Sequence, residues 1–175
     1  MKAPLVGAFF MFKIMDEQIQ SVEEFFAQEV PILLEKLNSN QQPVWGLMTP
    51  QHMLEHLIVI FKMSIGRIKL PVVSKEADFP KLKAYLMMDS PMRRSVPSPN
   101  GKNELQPLRS ASMEEAKEKL LKEIQSFLSF MQANPGFVAD HPYGGPMTVE
   151  EWLLFHRKHF KHHFIQFSLI PDYES

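Results

Sequence analysis

Six of the seven histidines fall in two stretches with helical periodicity: His52 and His56 in the first, His156, His159, His162 and His163 in the second. His141 stands alone before the second stretch. Imidazole titrates nearest to neutral pH of all side chains and is the commonest metal ligand. Taking His156 as zero, at about 100° per residue His159 falls near −60°, His163 near −20° and His162 near −120°. Trp152, Phe160, Phe167 and Ile170 share that side, so the stripe that must face the interior carries His159 and His163 with it. Side chains four residues apart point inward from adjacent turns, as two ligands of one ion must. A third ligand is needed from the earlier stretch. His56, between Met53 and Ile60, lies near its core-facing side, and His52, one turn earlier, is the natural substitute.

Uncharged imidazoles in an apolar interior need partners, and one divalent cation satisfies several of them at roughly 2.0–2.1 Å each. Three protein ligands leave positions for water or a substrate atom. The competing reading of HRKHFKHH, which also holds Arg157, Lys158 and Lys161, is a solvated basic tract or a set of hydrogen-bonded core histidines.

Composition narrows the choices. The chain has 175 residues, 45% of them hydrophobic, enough for one domain (1–175) with a buried core. A formal charge of −1 removes the basic surplus that nucleic-acid binding calls for. With no cysteine, disulfide scaffolds, thiolate zinc sites and cysteine nucleophiles are excluded, so a metal must rely on His and carboxylate ligands. Residues 3–12 (APLVGAFFMF) look like the apolar part of a signal peptide, but Lys13 follows directly and no small-residue cleavage site comes after it. Residues 1–15 therefore read as an apolar arm. A cytoplasmic protein that spans no membrane is the expectation, since no apolar run approaches about 20 residues.

Four amphipathic segments would position the histidines. The first runs from Asp16 to Leu37, with Pro31 expected to force a kink or a fresh start near Val30. The second opens at Thr49-Pro50, a strong start signal, and ends at Gly66. Residues 68–111 hold six prolines and read as a long crossover, partly docked by a short helix over Pro80–Met88. The third starts at Ser112, with Glu115 completing a capping box, and ends near Asn134-Pro135-Gly136. The fourth starts at Thr148 with Glu151 and runs to Pro171. With no convincing strand pattern, this predicts an all-α four-helix bundle with a proline-rich crossover between its second and third helices.

The run His159-Phe-Lys-His162-His163-Phe-Ile-Gln166, together with WGLMTPQHMLEH (Trp45–His56), resembles the DinB/YfiT-like superfamily of metal-dependent hydrolases and transferases. HPYGGPMTVEEW (His141–Trp152) is similar to one branch of it. The resemblance implies a DinB-like four-helix bundle in which His56, His159 and His163 bind one divalent ion. It puts His162 and Gln166 in supporting positions. His52 and His156 are themselves expected at the pocket or behind the ligands. The resemblance further implies hydrolase, isomerase or transferase chemistry on a small-molecule substrate, with a low-molecular-weight thiol as co-substrate. Imidazole ligands suit zinc or nickel first.

Other candidates divide quickly. Glu55 lies about 100° round the helix from His56 and reads as a surface carboxylate rather than a general base. His141 is either a pocket-mouth acid or base, or a plain turn residue. Glu150 and Glu151 suit the positive end of a helix. The Arg93-Arg94 pair is an anion attractor or a solvated surface, and no catalytic residue is assigned. The exposed face of the third segment allows a homodimer.

Overall fold

A computed structural model of the chain describes residues 17–94 and 104–173. The expected arm at residues 1–15 and the middle of the crossover lie outside these. The described chain is mostly helical, with five helices and one two-stranded sheet.

Helix α1 covers residues 17–36. The expected fresh start near Val30 is present, but without a break in the helix: the turn Phe25–Glu29 widens to π geometry and a new α segment, Val30–Lys36, follows directly. The Val30 N–H bonds to the Phe25 carbonyl, five residues back. Widening just ahead of a proline relieves the clash between its ring and the preceding turn, so the helix survives. Val22, Phe26, Val30 and Leu34 form the buried stripe.

Helix α2, Pro50–Ser64, begins as expected, with the Thr49 side chain accepting from the His52 N–H. It ends in a Schellman motif: the Gly66 N–H bonds to Met63 O and the Arg67 N–H to Lys62 O, both at 2.9 Å, with Gly66 at φ +74°. The crossover then supplies a 3₁₀ turn and the short α3, Phe79–Met87, which lies on the last helix with Leu86 buried.

Helix α4, Met113–Ala133, is capped by Ser112, whose side chain accepts from the Glu115 N–H. The expected reciprocal bond is displaced by one residue, because the Glu115 carboxylate accepts from Ala111 N at 2.6 Å. Helix α5, Val149–Gln166, has the full capping box of Thr148 and Glu151. It stops before Pro171 because a second Schellman motif intervenes. Leu169 N–H bonds to Phe164 O and Ser168 N–H to Ile165 O, with Ser168 itself at φ 52°.

The expectation of no strands is corrected by a hairpin, β1 (Val138–His141) paired antiparallel with β2 (Gly145–Thr148). Strands of four residues, the second opening with Gly145-Pro146, are too short to show alternation. Tertiary contacts hold this one: Trp152 Nε1–H donates to Ala139 O at 3.1 Å, and the Phe79 ring packs against Gly145.

The four long helices α1, α2, α4 and α5 share one core. Phe26 of α1 packs edge-on against Phe61 of α2 and Phe160 of α5, and Phe61 also meets Phe127 of α4. Met53, Met63, Met113, Met131 and Met147 fill the same core, which accounts for much of the methionine content.

Gly145 tests how tightly the hairpin is held. Its φ is +65°, and a Cβ there would sit 2.5 Å from the Phe79 ring. Gly145→Ala should lower stability by about 2–4 kcal/mol, combining backbone strain with overpacking. Gly136→Ala, at φ +78° with open space around it, should lose only about 1–2 kcal/mol. Urea unfolding midpoints of the two variants separate these contributions.

Candidate metal centre

Helices α2 and α5 run side by side so that His56 from one meets His159 and His163 from the other. His56 Nε2 lies 3.1 Å from His159 Nε2, and His163 Nε2 lies 3.0 Å from the same atom. All three ligand nitrogens lie within 4.8 Å of one another. His159 and His163 are buried, at 7% and 4% exposure, while His56 is partly exposed and forms the open side of the cluster.

Protons alone cannot satisfy this geometry. A ring nitrogen offers one in-plane site, either a hydrogen or a lone pair, so His159 Nε2 can answer only one of its two neighbours. Gln166 settles the state of His163. Its Nε2 donates to the Trp45 carbonyl at 2.8 Å, an atom that can only accept, which turns its Oε1 toward His163 Nδ1 at 2.8 Å. The Nδ1 of His163 therefore carries the proton, and its Nε2 presents a lone pair to the cluster. A carbonyl-type oxygen on the outer nitrogen is the usual way to fix the tautomer of a metal-bound histidine. His159 Nδ1 is buried with no hydrogen-bond partner, while the ring stacks on Phe155 at 5.2 Å.

Three lone pairs directed at one cation remove the conflict. Nitrogens each about 2.0–2.1 Å from a shared ion in tetrahedral or octahedral geometry are separated by roughly 2.9–3.4 Å, and both close pairs fall in that range. Electrostatics favour the same state. Burial, and then the neighbouring His162, push His56 down to about 4. Burial and the adjacent imidazoles hold His159 and His163 well below the ordinary histidine range. All three are neutral at pH 7, as ligation requires.

The remaining sequence candidates lie elsewhere. His52 does not join the cluster: its Nδ1 sits 2.6 Å from Thr49 Oγ1, in the cap of α2. His156 is a core residue rather than a pocket residue. It is fully buried, stacked on Phe61 at 3.9 Å, with its Nε2 donating to Ser64 Oγ at 3.0 Å. The Ser64 hydroxyl donates to Phe61 O and so can only accept from the imidazole. His162 flanks the cluster, its ring 5.1 Å from that of His163 and 5.3 Å from Trp45; burial and then Arg94 push it down to about 4.

Glu55 faces away from the cluster. Its carboxylate accepts from the backbone N–H groups of Arg109 and Ser110 at 2.8 and 2.9 Å, pinning the end of the crossover. Desolvation raises its pKa, but those amides and Gln51 outweigh it and leave the group below the ordinary glutamate value. Arg94 stacks over Trp45 and pairs with Asp172.

Trp45 and Phe155 went unmarked as site residues in the sequence. Trp45 acts through its backbone carbonyl, which no side-chain pattern reveals, and Phe155 is indistinguishable from the other aromatics of the stripe.

A sequence profile of the DinB superfamily matches residues 27–167. The chain belongs to the DinB superfamily. No curated protein and no solved structure shows a significant match to it. The matched span of this DinB-superfamily chain includes both helices that carry the cluster, the hairpin and Gln166.

The hairpin histidine gives the site's surroundings a pH signature. His141 is 6% exposed, and its Nδ1 accepts from both Tyr143 N and Gly144 N at 3.1 Å; burial pushes it down to about 4 from the ordinary 6.5. The folded pKa lies below the unfolded one, so the unfolded chain takes up the proton first. Stability is therefore lost as pH falls from about 6.5 to about 4, by on the order of 3 kcal/mol when complete. His141→Asn keeps an acceptor for these amides but does not titrate. Thermal melts from pH 7 to pH 4 should show a flatter pH dependence for this variant than for wild type, from a lower starting stability.

Proposed function

We propose that this DinB-superfamily protein is a metal-dependent enzyme acting on a small molecule, with one divalent ion, zinc or nickel, held by His56, His159 and His163. The observation that carries the reading is the convergence of three neutral ring nitrogens, one of them fixed as a lone-pair donor by Gln166. In this reading the four long helices form a four-helix bundle, and residues 68–111 are its crossover. The shared aromatic core of α1, α2, α4 and α5 supports that arrangement.

When bound, such an ion polarises a substrate carbonyl or lowers the pKa of a water or thiol. The chain's own residues prepare for this. Gln166 holds the His163 proton on the outer nitrogen, and Phe155 fixes the plane of His159. The buried walls around His159 and His163 exclude water, leaving the His56 side for substrate approach. Either reaction class, a hydrolase or a thiol-dependent transferase, fits this first set of ligands.

A second reading, a non-catalytic metal- or ligand-binding protein, is favoured by one specific observation. The carboxylate nearest in sequence, Glu55, is committed to the Arg109 and Ser110 amides, so it offers no general base. Panels of esters, lactones and thiol-dependent substrates, assayed with and without a chelator, separate the two. Chelator-sensitive turnover supports the enzyme, and metal binding without turnover supports the carrier.

Elemental analysis of untagged protein should find one divalent ion per chain. His159→Ala should lose it while keeping its helical circular dichroism. Gln166→Ala should bind the ion about 10–100-fold more weakly, because the outer nitrogen of His163 loses its acceptor. Full metal occupancy in His159→Ala would remove this ligand set.

A further inference from the structure

Beside the cluster lies a second group of polar side chains that the metal reading does not use. The Arg94 guanidinium sits 4.1 Å over the Trp45 ring and pairs through Nη2 with the carboxylate of Asp172, from the segment that follows α5. Lys158, only 3% exposed, donates to Ser90 Oγ at 3.0 Å and to the carbonyl of Tyr85, both uncharged acceptors. With His162, these residues line a cavity of about 20 Å³, room for little more than one water.

Two rings stand between this cavity and the cluster. Trp45 lies against His162, and His162 lies against His163, at centroid distances of 5.3 and 5.1 Å. The Trp45 backbone carbonyl also holds Gln166, which holds His163. A guanidinium pre-set on an aromatic face loses little freedom on binding, and its planar fork matches a carboxylate. The structure already seats a carboxylate there, that of Asp172, in a pair whose side chains are 50% and 37% exposed. A pair so open to solvent contributes little, so an incoming carboxylate can displace Asp172.

We propose that Arg94 and Trp45 form a binding subsite for a carboxylate beside the three-histidine cluster, and that Asp172 holds this place in the free protein. The ligand class is then a small carboxylic acid. The subsite is testable apart from the metal reading.

The probe is succinate, with succinamide as the uncharged control, titrated into the full-length protein and followed by calorimetry and by indole fluorescence, with buried Trp152 as a constant background. Asp172→Asn should bind succinate roughly two- to fivefold more tightly, since an exposed competing pair is gone. Arg94→Gln should weaken binding at least about tenfold through loss of charged hydrogen bonds. The Arg94 effect should persist in His159→Ala, which separates the subsite from any direct contact between succinate and an ion. Equal binding by wild type and Arg94→Gln, no tightening in Asp172→Asn, or equal affinity for succinamide would each overturn the proposal. Arg94-dependent binding in a protein that takes up no metal would remove the metal reading and support the subsite.

Discussion

A neutral imidazole nitrogen can make one directional interaction in its ring plane, and it cannot be left idle in a dry interior without a cost of about 1–3 kcal/mol. That constraint governs the middle of this protein. Two Nε2 atoms, of His56 and His163, are brought within hydrogen-bonding distance of a third, that of His159, and no distribution of protons serves both contacts. The histidine one turn away, His156, has a hydroxyl partner for Nε2 and an aromatic ring to stack on, while its Nδ1, like that of His159, is buried without a hydrogen-bond partner. What separates the two is the other nitrogen: His156 Nε2 faces one hydroxyl, whereas His159 Nε2 faces two further ring nitrogens.

Much of the surrounding architecture can be understood as holding those rings in place. The Thr49 cap and the Gly66 terminus fix the length of α2, and the capping box at Thr148 fixes where α5 begins. The loop between α1 and α2 is tied to the end of α5 by the Val44 N–H to Gln166 O bond at 2.7 Å and by Gln41 on the Phe167 carbonyl. The crossover is anchored at one end by Glu55. Near its middle Lys158 caps α3, while Lys161 pairs with Asp89 at 3.0 Å.

The sequence disclosed the long elements and the ligand positions because both are written in local chemistry: periodic apolar residues, a Thr-Pro start, a glycine stop, imidazoles four residues apart. Periodicity alone left His52 and His56 as alternatives, and the resemblance to the superfamily chose between them. What remained hidden depends on contacts distant in sequence. The hairpin exists because Trp152 and Phe79 meet it, and its strands are too short to carry a pattern of their own. The turn that closes α5 puts Ser168, a residue without glycine's freedom, at positive φ, where hydrogen bonding prevails over side-chain preference. Pro31 marked where a new helical segment starts, but not that the chain reaches it by widening rather than breaking.

The Gln166 amide is gripped by the main chain of Trp45 rather than by its indole. Two properties therefore sit on one residue yet answer to different atoms. Exchanging the side chain at position 45 alters what the neighbouring cavity accepts, while the protonation pattern of His163 stays under the control of the peptide carbonyl. A lineage of such proteins is free to diversify ligand preference at this position without retuning its imidazole cluster.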